Sequence, residues 1–204
     1  MSAIKNIVFD FGGVLLDWNP RYLYKDYFKD EKEMEYFLSE ICNSEWNVQQ
    51  DAGRPFADAV KLLQARYPQY SEAIQMYDEY WYKMLKCEFP ESIALLKELK
   101  SLGYGIYGLT NWSAEKIGYA FSNYDFFGLF DGIVVSGDEK VAKPDPKIYR
   151  ILLERYGLVP GECVFLDDNA DNVKAAESLG INAIRFDNIE NVKLNLAKLL
   201  GRTL

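Results

Sequence analysis

The chain has 204 residues, of which 49% are hydrophobic and 26% charged, with a formal net charge of −8. This composition is typical of a globular protein of one or two domains with a substantial core, and it excludes a disordered chain. The acidic balance argues against nucleic acid as a partner, because there is no basic field to replace counterions. The sequence has no histidine, which excludes histidine-based triads and histidine metal sites.

The cysteines at positions 42, 87 and 163 are scattered and odd in number. They argue against a disulfide framework and favour a reducing compartment, so we expect a cytoplasmic protein with small, buried cysteine side chains. The first residues have no signal-peptide pattern, and no apolar run reaches about 18 residues. We therefore expect no membrane partner.

Five short apolar runs are predicted to be strands. They are apolar throughout and do not alternate, which indicates parallel strands buried on both faces. The runs are 7–10, 106–110, 133–136, 164–167 and 183–186.

Helical patterns separate the later runs. A helix is expected over 90–101, beginning at a proline, and another over 146–155 with Asp145 as its N-cap. Two more are expected over 170–179 and 189–200. This alternation predicts an α/β fold with a doubly wound parallel sheet, similar to a Rossmann fold.

The segment after the first strand has a different pattern. Residues 18–89 show aromatic, aliphatic and charged residues at helical spacing and no convincing strand, and 71–85 reads as one long amphipathic helix. We therefore predict an α/β core of residues 1–16 and 90–204. Residues 17–89 are predicted to be an inserted helical cap over the ligand-binding edge of the sheet.

Polar residues follow the predicted strands where parallel strands bind ligands. Asp10 follows the first, Thr110 and Asn111 follow the second, and the pair Asp167 and Asp168 ends the fourth. Three carboxylates suit a hard cation such as Mg²⁺. A hydroxyl and an amide can donate to phosphate oxygens, and the nearby Lys143 can neutralise charge.

These residues fall into four motifs. The first is the run from Asp10 to Leu15 (DFGGVL), the second is Thr110, the third is 143–146 (KPDP), and the fourth is Asp167-Asp168. In this order they resemble the haloacid dehalogenase-like hydrolase superfamily over essentially the whole chain. Within it, the chain is most similar to the glucose-1-phosphatase group and to the N-terminal phosphatase domain of epoxide hydrolases.

The resemblance implies a metal-dependent phosphatase. Asp10 would be the nucleophile, forming an aspartyl-phosphate, and also a Mg²⁺ ligand. The backbone carbonyl of Gly12 and the side chain of Asp168 would complete the protein ligands, while Asp167 would orient water at the metal.

The resemblance also implies how the phosphoryl group is held. Thr110 and the backbone amide of Asn111 would bind it, and Lys143 would neutralise both Asp10 and the phosphate. Phosphoryl transfer depends mainly on positioning and charge neutralisation, which this set supplies.

One position departs from the pattern of the usual phosphatases. They carry a second aspartate, an acid/base, where this chain has Gly12. A sugar 1-phosphate, with its better leaving group, would reduce the need for an acid; alternatively, water or a cap residue such as Asp51 could relay the proton.

Our expectation is hydrolysis of a small phosphomonoester, such as a sugar phosphate, by a monomer or small homo-oligomer. The alternatives are a metal-independent 2-haloacid dehalogenase, a non-catalytic binder of phosphorylated ligands and, more weakly, a phosphomutase.

Several neighbouring residues also have structural interpretations. Thr110 and Asn111 could cap the following helix as well as bind substrate. We expect Asp171 to face solvent and Trp46 to pack in the core, and we leave the role of Asn172 open.

Overall fold

The computed structural model describes residues 3–204, and its centre is a five-stranded parallel sheet. The strand order is β5-β4-β1-β6-β7. The strands are β1 (Asn6–Phe9), β4 (Gly105–Thr110), β5 (Gly132–Val135), β6 (Cys163–Asp167) and β7 (Asn182–Arg185). All five predicted strands are confirmed, and so is the α/β fold class.

The chain reverses its direction of winding at β1, which lies between β4 and β6. Along β1, Ile7 and Phe9 belong to the core on one face of the sheet, and Val8 belongs to the core on the other. Both faces are thus covered, which explains why the strands are apolar throughout. A reversal of this kind opens a crevice at the carboxyl ends of the strands, where ligands bind in such sheets.

Eleven α-helices accompany the strands in the described part of the chain. The sequence-predicted helices correspond to four of them, and the side chain of Asp145 caps one as expected, accepting from the backbone N–H of Lys147. The helices are α1 (Arg21–Tyr24), α2 (Glu31–Tyr36), α3 (Ser44–Asp51), α4 (Phe56–Arg66), α5 (Ser71–Glu79), α6 (Pro90–Ser101), α7 (Ile117–Asn123), α8 (Ser136–Glu139), α9 (Pro146–Tyr156), α10 (Ala170–Ser178) and α11 (Ile189–Leu200). Residues Phe37–Ile41 continue α2 as a π-helix, and single 3₁₀ turns fill several connections.

The segment between β1 and β4 contains a small antiparallel sheet that the sequence did not predict. It pairs β2 (Leu16–Trp18) with β3 (Leu85–Glu88). The expectation that 18–89 contains no strand is therefore wrong. So is the single helix over 71–85, because α5 ends at Glu79 and a 3₁₀ turn leads into β3.

Helices α4 and α5 contact the loop that follows β4. The ammonium of Lys116 pairs with the carboxylate of Asp78. The carboxylate of Glu115 accepts from the backbone N–H of Phe56 at 3.1 Å. These contacts hold the inserted segment over the carboxyl ends of β1 and β4.

The three cysteines are unpaired, as expected, but only two are buried. Cys42 and Cys163 lie in the core, whereas Cys87 is exposed on β3. The expectation of three buried thiols is wrong for Cys87, because it lies on a strand of the small sheet rather than on a helix.

None of the helices in residues 3–204 combines the length and the apolar character needed to cross a membrane.

Candidate active site

The centre of the crevice is the buried ammonium group of Lys143. Its Nζ lies 2.9 Å from Oδ1 of Asp10 and 2.7 Å from Oδ2 of Asp167. It also donates to the backbone carbonyl of Leu109 at 2.9 Å. Only 3% of the residue's surface is exposed. One cation therefore contacts the ends of β1, β4 and β6 together.

The backbone of Lys143 is held by the side chain of Asn111. Oδ1 of Asn111 accepts from the N–H of Lys143 at 2.8 Å, and Nδ2 donates to its carbonyl at 2.9 Å. This pair of bonds fixes the loop after α8 against the end of β4. The side chain of Asn111 thus positions Lys143, while its backbone N–H is the group that the resemblance assigns to phosphate.

Two carboxylates contact this ammonium, and a third, the exposed Asp168, lies beside them. Ligand oxygens of Asp10, Asp167 and Asp168 all lie within 4.8 Å of one another. Burial raises the pKa of Asp10 to about 7, an effect that Lys143 opposes and Asp167 reinforces. Burial and Asp167 also raise the pKa of Asp168. Burial alone would lower the pKa of Lys143, but its two carboxylate partners outweigh it and the pKa is raised.

The cluster has one positive charge for three carboxyl groups. A further cation nearby would lower the pKa values of Asp10 and Asp168 towards their ordinary range. Carboxylate and carbonyl oxygens are the ligands that Mg²⁺ prefers. The three carboxylates therefore fit Mg²⁺, for which the resemblance assigns Asp10, the carbonyl of Gly12 and Asp168 as ligands, with Asp167 beside them.

The side chain of Asp168 lies directly against the backbone of Gly13. Gly13 has a backbone φ of +74°, and a Cβ atom there would lie 2.5 Å from Oδ2 of Asp168. At Gly12, by contrast, a Cβ atom would meet nothing within 4 Å. Gly13 is thus needed for backbone conformation and close approach, whereas Gly12 borders open space.

Three buried side-chain donors have no hydrogen-bond partner within residues 3–204: Oγ1 of Thr110, Nε1 of Trp18 and Nε1 of Trp112. Thr110 ends β4, and both tryptophans line the same pocket beside it. Buried polar groups without partners are uncommon, since each costs free energy of folding. Their convergence here indicates a place built to donate hydrogen bonds to a ligand.

The pocket has a volume of about 370 Å³ including its open mouth. The sheet side contributes Gly12, Asn111 and Trp112 to its wall. The inserted segment contributes Asn47, Asp51 and Trp81, and Trp18 lies between the two sides. A ligand in this pocket would touch both the sheet and the inserted helices.

One residue of the cluster was not assigned from the sequence. Asn172, in the first turn of α10, is buried and donates from Nδ2 to both carboxylate oxygens of Asp167, at 3.0 and 3.1 Å. It lies five residues after Asp167, and because α10 starts directly after β6 its first turn faces the carboxylate. That short connection is the signal that could have identified it.

The remaining assignments have mixed outcomes. Asp171 is exposed and pairs with Lys174, and Trp46 is buried in the core, both as expected. Thr110 and Asn111 do not cap a helix, because α7 begins only at Ile117. The connection from β4 to α7 spans residues 111–116, which leaves both residues available to the site.

The sequence model of the haloacid dehalogenase-like hydrolases matches residues 4–180. The chain therefore belongs to this family, as its motifs indicated.

Individual relatives of the chain include both phosphatases and dehalogenases. The chain is 29% identical over 206 aligned residues to a sesquiterpene phosphatase of Aspergillus oryzae, covering 98% of each. It is 32% identical over 106 residues to (S)-2-haloacid dehalogenase 4A of Burkholderia cepacia, covering 52% of this chain and 46% of the relative. The chain spans a much smaller share of some other curated relatives, down to 11% of the length of one of them.

Solved structures share the fold. A family enzyme of Bacteroides thetaiotaomicron, determined as a magnesium complex, superposes with a TM-score of 0.71 at 24% identity. The match covers 90% of this chain and 93% of that one.

We predict opposite effects on stability from two substitutions in the ion cluster. Without Mg²⁺ at pH 8, Lys143→Met should lower the free energy of unfolding by about 3–5 kcal/mol, because it leaves buried carboxylates uncompensated. Asp10→Asn should raise it, because it removes one of three crowded carboxylates. Urea unfolding in EDTA measures both, and a loss of stability in both variants would contradict this account.

The two neighbouring glycines provide a matched pair. Gly13→Ala should lower stability by at least ~1–2 kcal/mol, since a side chain disfavours the left-handed backbone conformation and would collide with Asp168. Gly12→Ala should leave stability nearly unchanged. Thermal melting without metal compares them, and equal melting temperatures would rule out the close approach at Gly13.

Thr110→Val tests the unpartnered hydroxyl. It keeps the side-chain shape and removes a buried donor, so without phosphate it should stabilise the protein by about 1–3 kcal/mol. It should also abolish the rise in melting temperature that phosphate with Mg²⁺ produces in the wild type. Destabilisation of the ligand-free variant would show that the hydroxyl has a partner within the protein.

Proposed function

We propose that this chain is a Mg²⁺-dependent phosphatase that hydrolyses a small phosphomonoester, a sugar phosphate, through an aspartyl-phosphate on Asp10. The observation that carries the proposal is the buried cluster in which Lys143 contacts both Asp10 and Asp167 beside the unpartnered hydroxyl of Thr110. A carboxylate nucleophile, a buried cation and a free donor at one sheet edge are what phosphoryl transfer requires.

Each residue has a definite task in this reaction. The hydrogen bond from the backbone N–H of Phe11 to Oδ1 of Asp10, at 2.7 Å, and the ammonium of Lys143 orient the nucleophile. Thr110 and the backbone N–H of Asn111 donate to oxygens of the transferring group. When bound, Mg²⁺ would neutralise charge on the carboxylates and on the phosphoryl group.

The leaving-group side of the pocket supports a hydroxylated substrate. Indole rings of Trp18, Trp81 and Trp112 offer apolar faces, and the N–H groups of Trp18 and Trp112 have no partner among residues 3–204. Asn47 and Asp51 add polar atoms to the same wall. A sugar presents both C–H faces and hydroxyl groups, so it would satisfy this mixture.

An isoprenoid phosphate is a second candidate, because one relative is a sesquiterpene phosphatase. A hydrocarbon chain would fit the indole faces. It would leave the indole N–H groups of Trp18 and Trp112 buried without partners among residues 3–204 and would offer nothing to the polar atoms of the wall, which costs free energy of binding. The polar wall therefore favours the sugar.

Dehalogenases are also among the relatives. A dehalogenase attacks carbon without a metal, so Asp167 and Asp168 would place surplus negative charge beside an anionic haloacid. This charge disfavours the dehalogenase reaction here. A binder without turnover would keep the same cluster and differ only in failing to release phosphate.

We also propose that residues 17–89 act as a cap. The segment leaves the core at β2 and returns at β3, and it supplies one wall of the pocket. Closed over the sheet, it would exclude water from the phosphoryl group, as lids do.

Phosphate release from a panel of monoesters tests the proposal. The panel contains glucose 1-phosphate, fructose 1-phosphate, farnesyl phosphate and p-nitrophenyl phosphate, each with Mg²⁺ and with EDTA. We expect release that requires the metal, is fastest with a sugar phosphate and is abolished by Asp10→Asn. Release of halide from 2-chloropropionate in EDTA, or binding without phosphate release, would refute the phosphatase.

A further inference from the structure

The pocket beside the phosphoryl site has a single titratable side chain in its wall. Of the seven residues that line it, Asp51 alone carries an ionisable group, and the others are three tryptophans, two asparagines and a glycine. Gly12 offers no side chain, and the space beyond it is open. Any proton given to a leaving oxygen by a side chain of this wall must therefore come from Asp51.

The carboxyl group of Asp51 is oriented by a chain of hydrogen bonds. The hydroxyl of Tyr77 donates to Oδ1 of Asn47 at 3.1 Å, and Nδ2 of Asn47 donates to Oδ2 of Asp51 at 2.9 Å. Tyr77 is buried, and its bond fixes which way the amide of Asn47 points. The carboxyl group thus has a defined orientation at the pocket wall without any ion-pair partner within residues 3–204.

The surroundings of Asp51 favour its neutral, protonated form. Burial raises its pKa to about 7, against the opposing effects of the Ser113 backbone amide and the charge of Lys143. The nearby phenol of Tyr77 stays neutral, because burial raises its pKa too. Asp51 is also the last residue of α3, where the helix dipole disfavours negative charge. A carboxylic acid with these properties suits proton donation near neutral pH.

We propose that Asp51, supplied by the inserted segment, is the general acid that protonates the leaving oxygen, in place of a side chain at residue 12. The inference rests on the phosphatase function proposed above. A carboxylate oxygen of Asp10 forms a bond to phosphorus, and the bond from phosphorus to the leaving oxygen breaks. The electron pair of that bond stays on the leaving oxygen, which takes the proton of Asp51 and departs as an alcohol.

The second half of the cycle restores the acid. Water attacks the phosphorus of the aspartyl-phosphate, and its proton passes to the carboxylate of Asp51. The bond between phosphorus and Asp10 breaks, and its electron pair returns to the Asp10 carboxylate. Inorganic phosphate leaves, and both residues regain their starting states.

The test compares leaving groups that differ in their need for a proton. The alkoxide of fructose 1-phosphate must be protonated as it leaves, whereas p-nitrophenolate leaves without help. In single-turnover reactions of the full chain with Mg²⁺, Asp51→Asn should slow the release of fructose by roughly 10²–10⁴-fold. It should slow the first release of p-nitrophenol by less than about tenfold, with KM little changed for either substrate. A merely structural role would slow both reactions equally.

Asp58→Asn is the matched control, because Asp58 is an exposed carboxylate on the neighbouring helix α4. It should leave both rates at the wild-type value. If Asp51→Asn does not fold, Asn47→Ala replaces it, since losing the orienting hydrogen bond should produce the same selective loss in smaller degree.

The outcomes separate this inference from the proposed function. A wild type that hydrolyses neither ester refutes the phosphatase itself. A wild type active on both, with Asp51→Asn slowing both equally or neither, keeps the phosphatase and overturns the role of Asp51. A wild type active only on p-nitrophenyl phosphate also overturns it, because a working acid would support an alkyl leaving group.

Discussion

A buried ammonium group holds the centre of this molecule together. Lys143 contacts a carboxylate after β1, a backbone carbonyl of β4 and a carboxylate of β6, so it joins the three central strands at one edge. Burying this charge is costly unless it is paired and fully hydrogen-bonded. The pairing sets where the surrounding groups lie, because Asn111 holds the backbone of Lys143 and Asn172 holds its partner Asp167.

Several groups around this ion pair make unfavourable contributions to the free energy of folding. A protein selected for stability alone would lack them. Three carboxylates lie together beside one buried cation that contacts two of them, and the described residues leave a threonine hydroxyl and two indole N–H groups buried without partners. All of them lie at the carboxyl edge of the sheet or in the adjoining pocket. Elsewhere in the described core, the fully buried polar side chain of Gln50 has its hydrogen bonds, donating to the carbonyl of Trp46 and accepting from Arg54. Such a concentration of uncompensated polarity is typical of a site whose ligand completes the hydrogen bonds.

The inserted segment supplies part of the pocket wall. The small sheet joins its two ends, with Leu16 paired to Glu88 and the N–H of Phe89 bonded to the carbonyl of Leu15. Helix α3 contributes Asn47 and Asp51 to the pocket wall, which also contains Gly12 and Asn111. In the proposed function, a wall shared between sheet and insert would bring the substrate contacts and the proposed proton donor to the site with one movement of the cap.

The sequence alone determined the parts that depend on local patterns. Apolar runs specified the five strands, capping residues and glycines specified the later helices, and four motifs specified that Asp10, Lys143, Asp167 and Asp168 would lie at one edge. These features are readable because the periodicity of a strand or helix is expressed within a few residues.

Only the tertiary structure decided the rest. The pairing of β2 with β3 joins short segments far apart in sequence, and neither has a periodicity that identifies its partner. The contact of Asn172 with Asp167, the unpartnered indoles and the partial burial of Asp51 depend on side chains from distant elements. Burial and hydrogen-bond satisfaction are properties of the assembled surroundings, so a residue's own sequence context does not contain them.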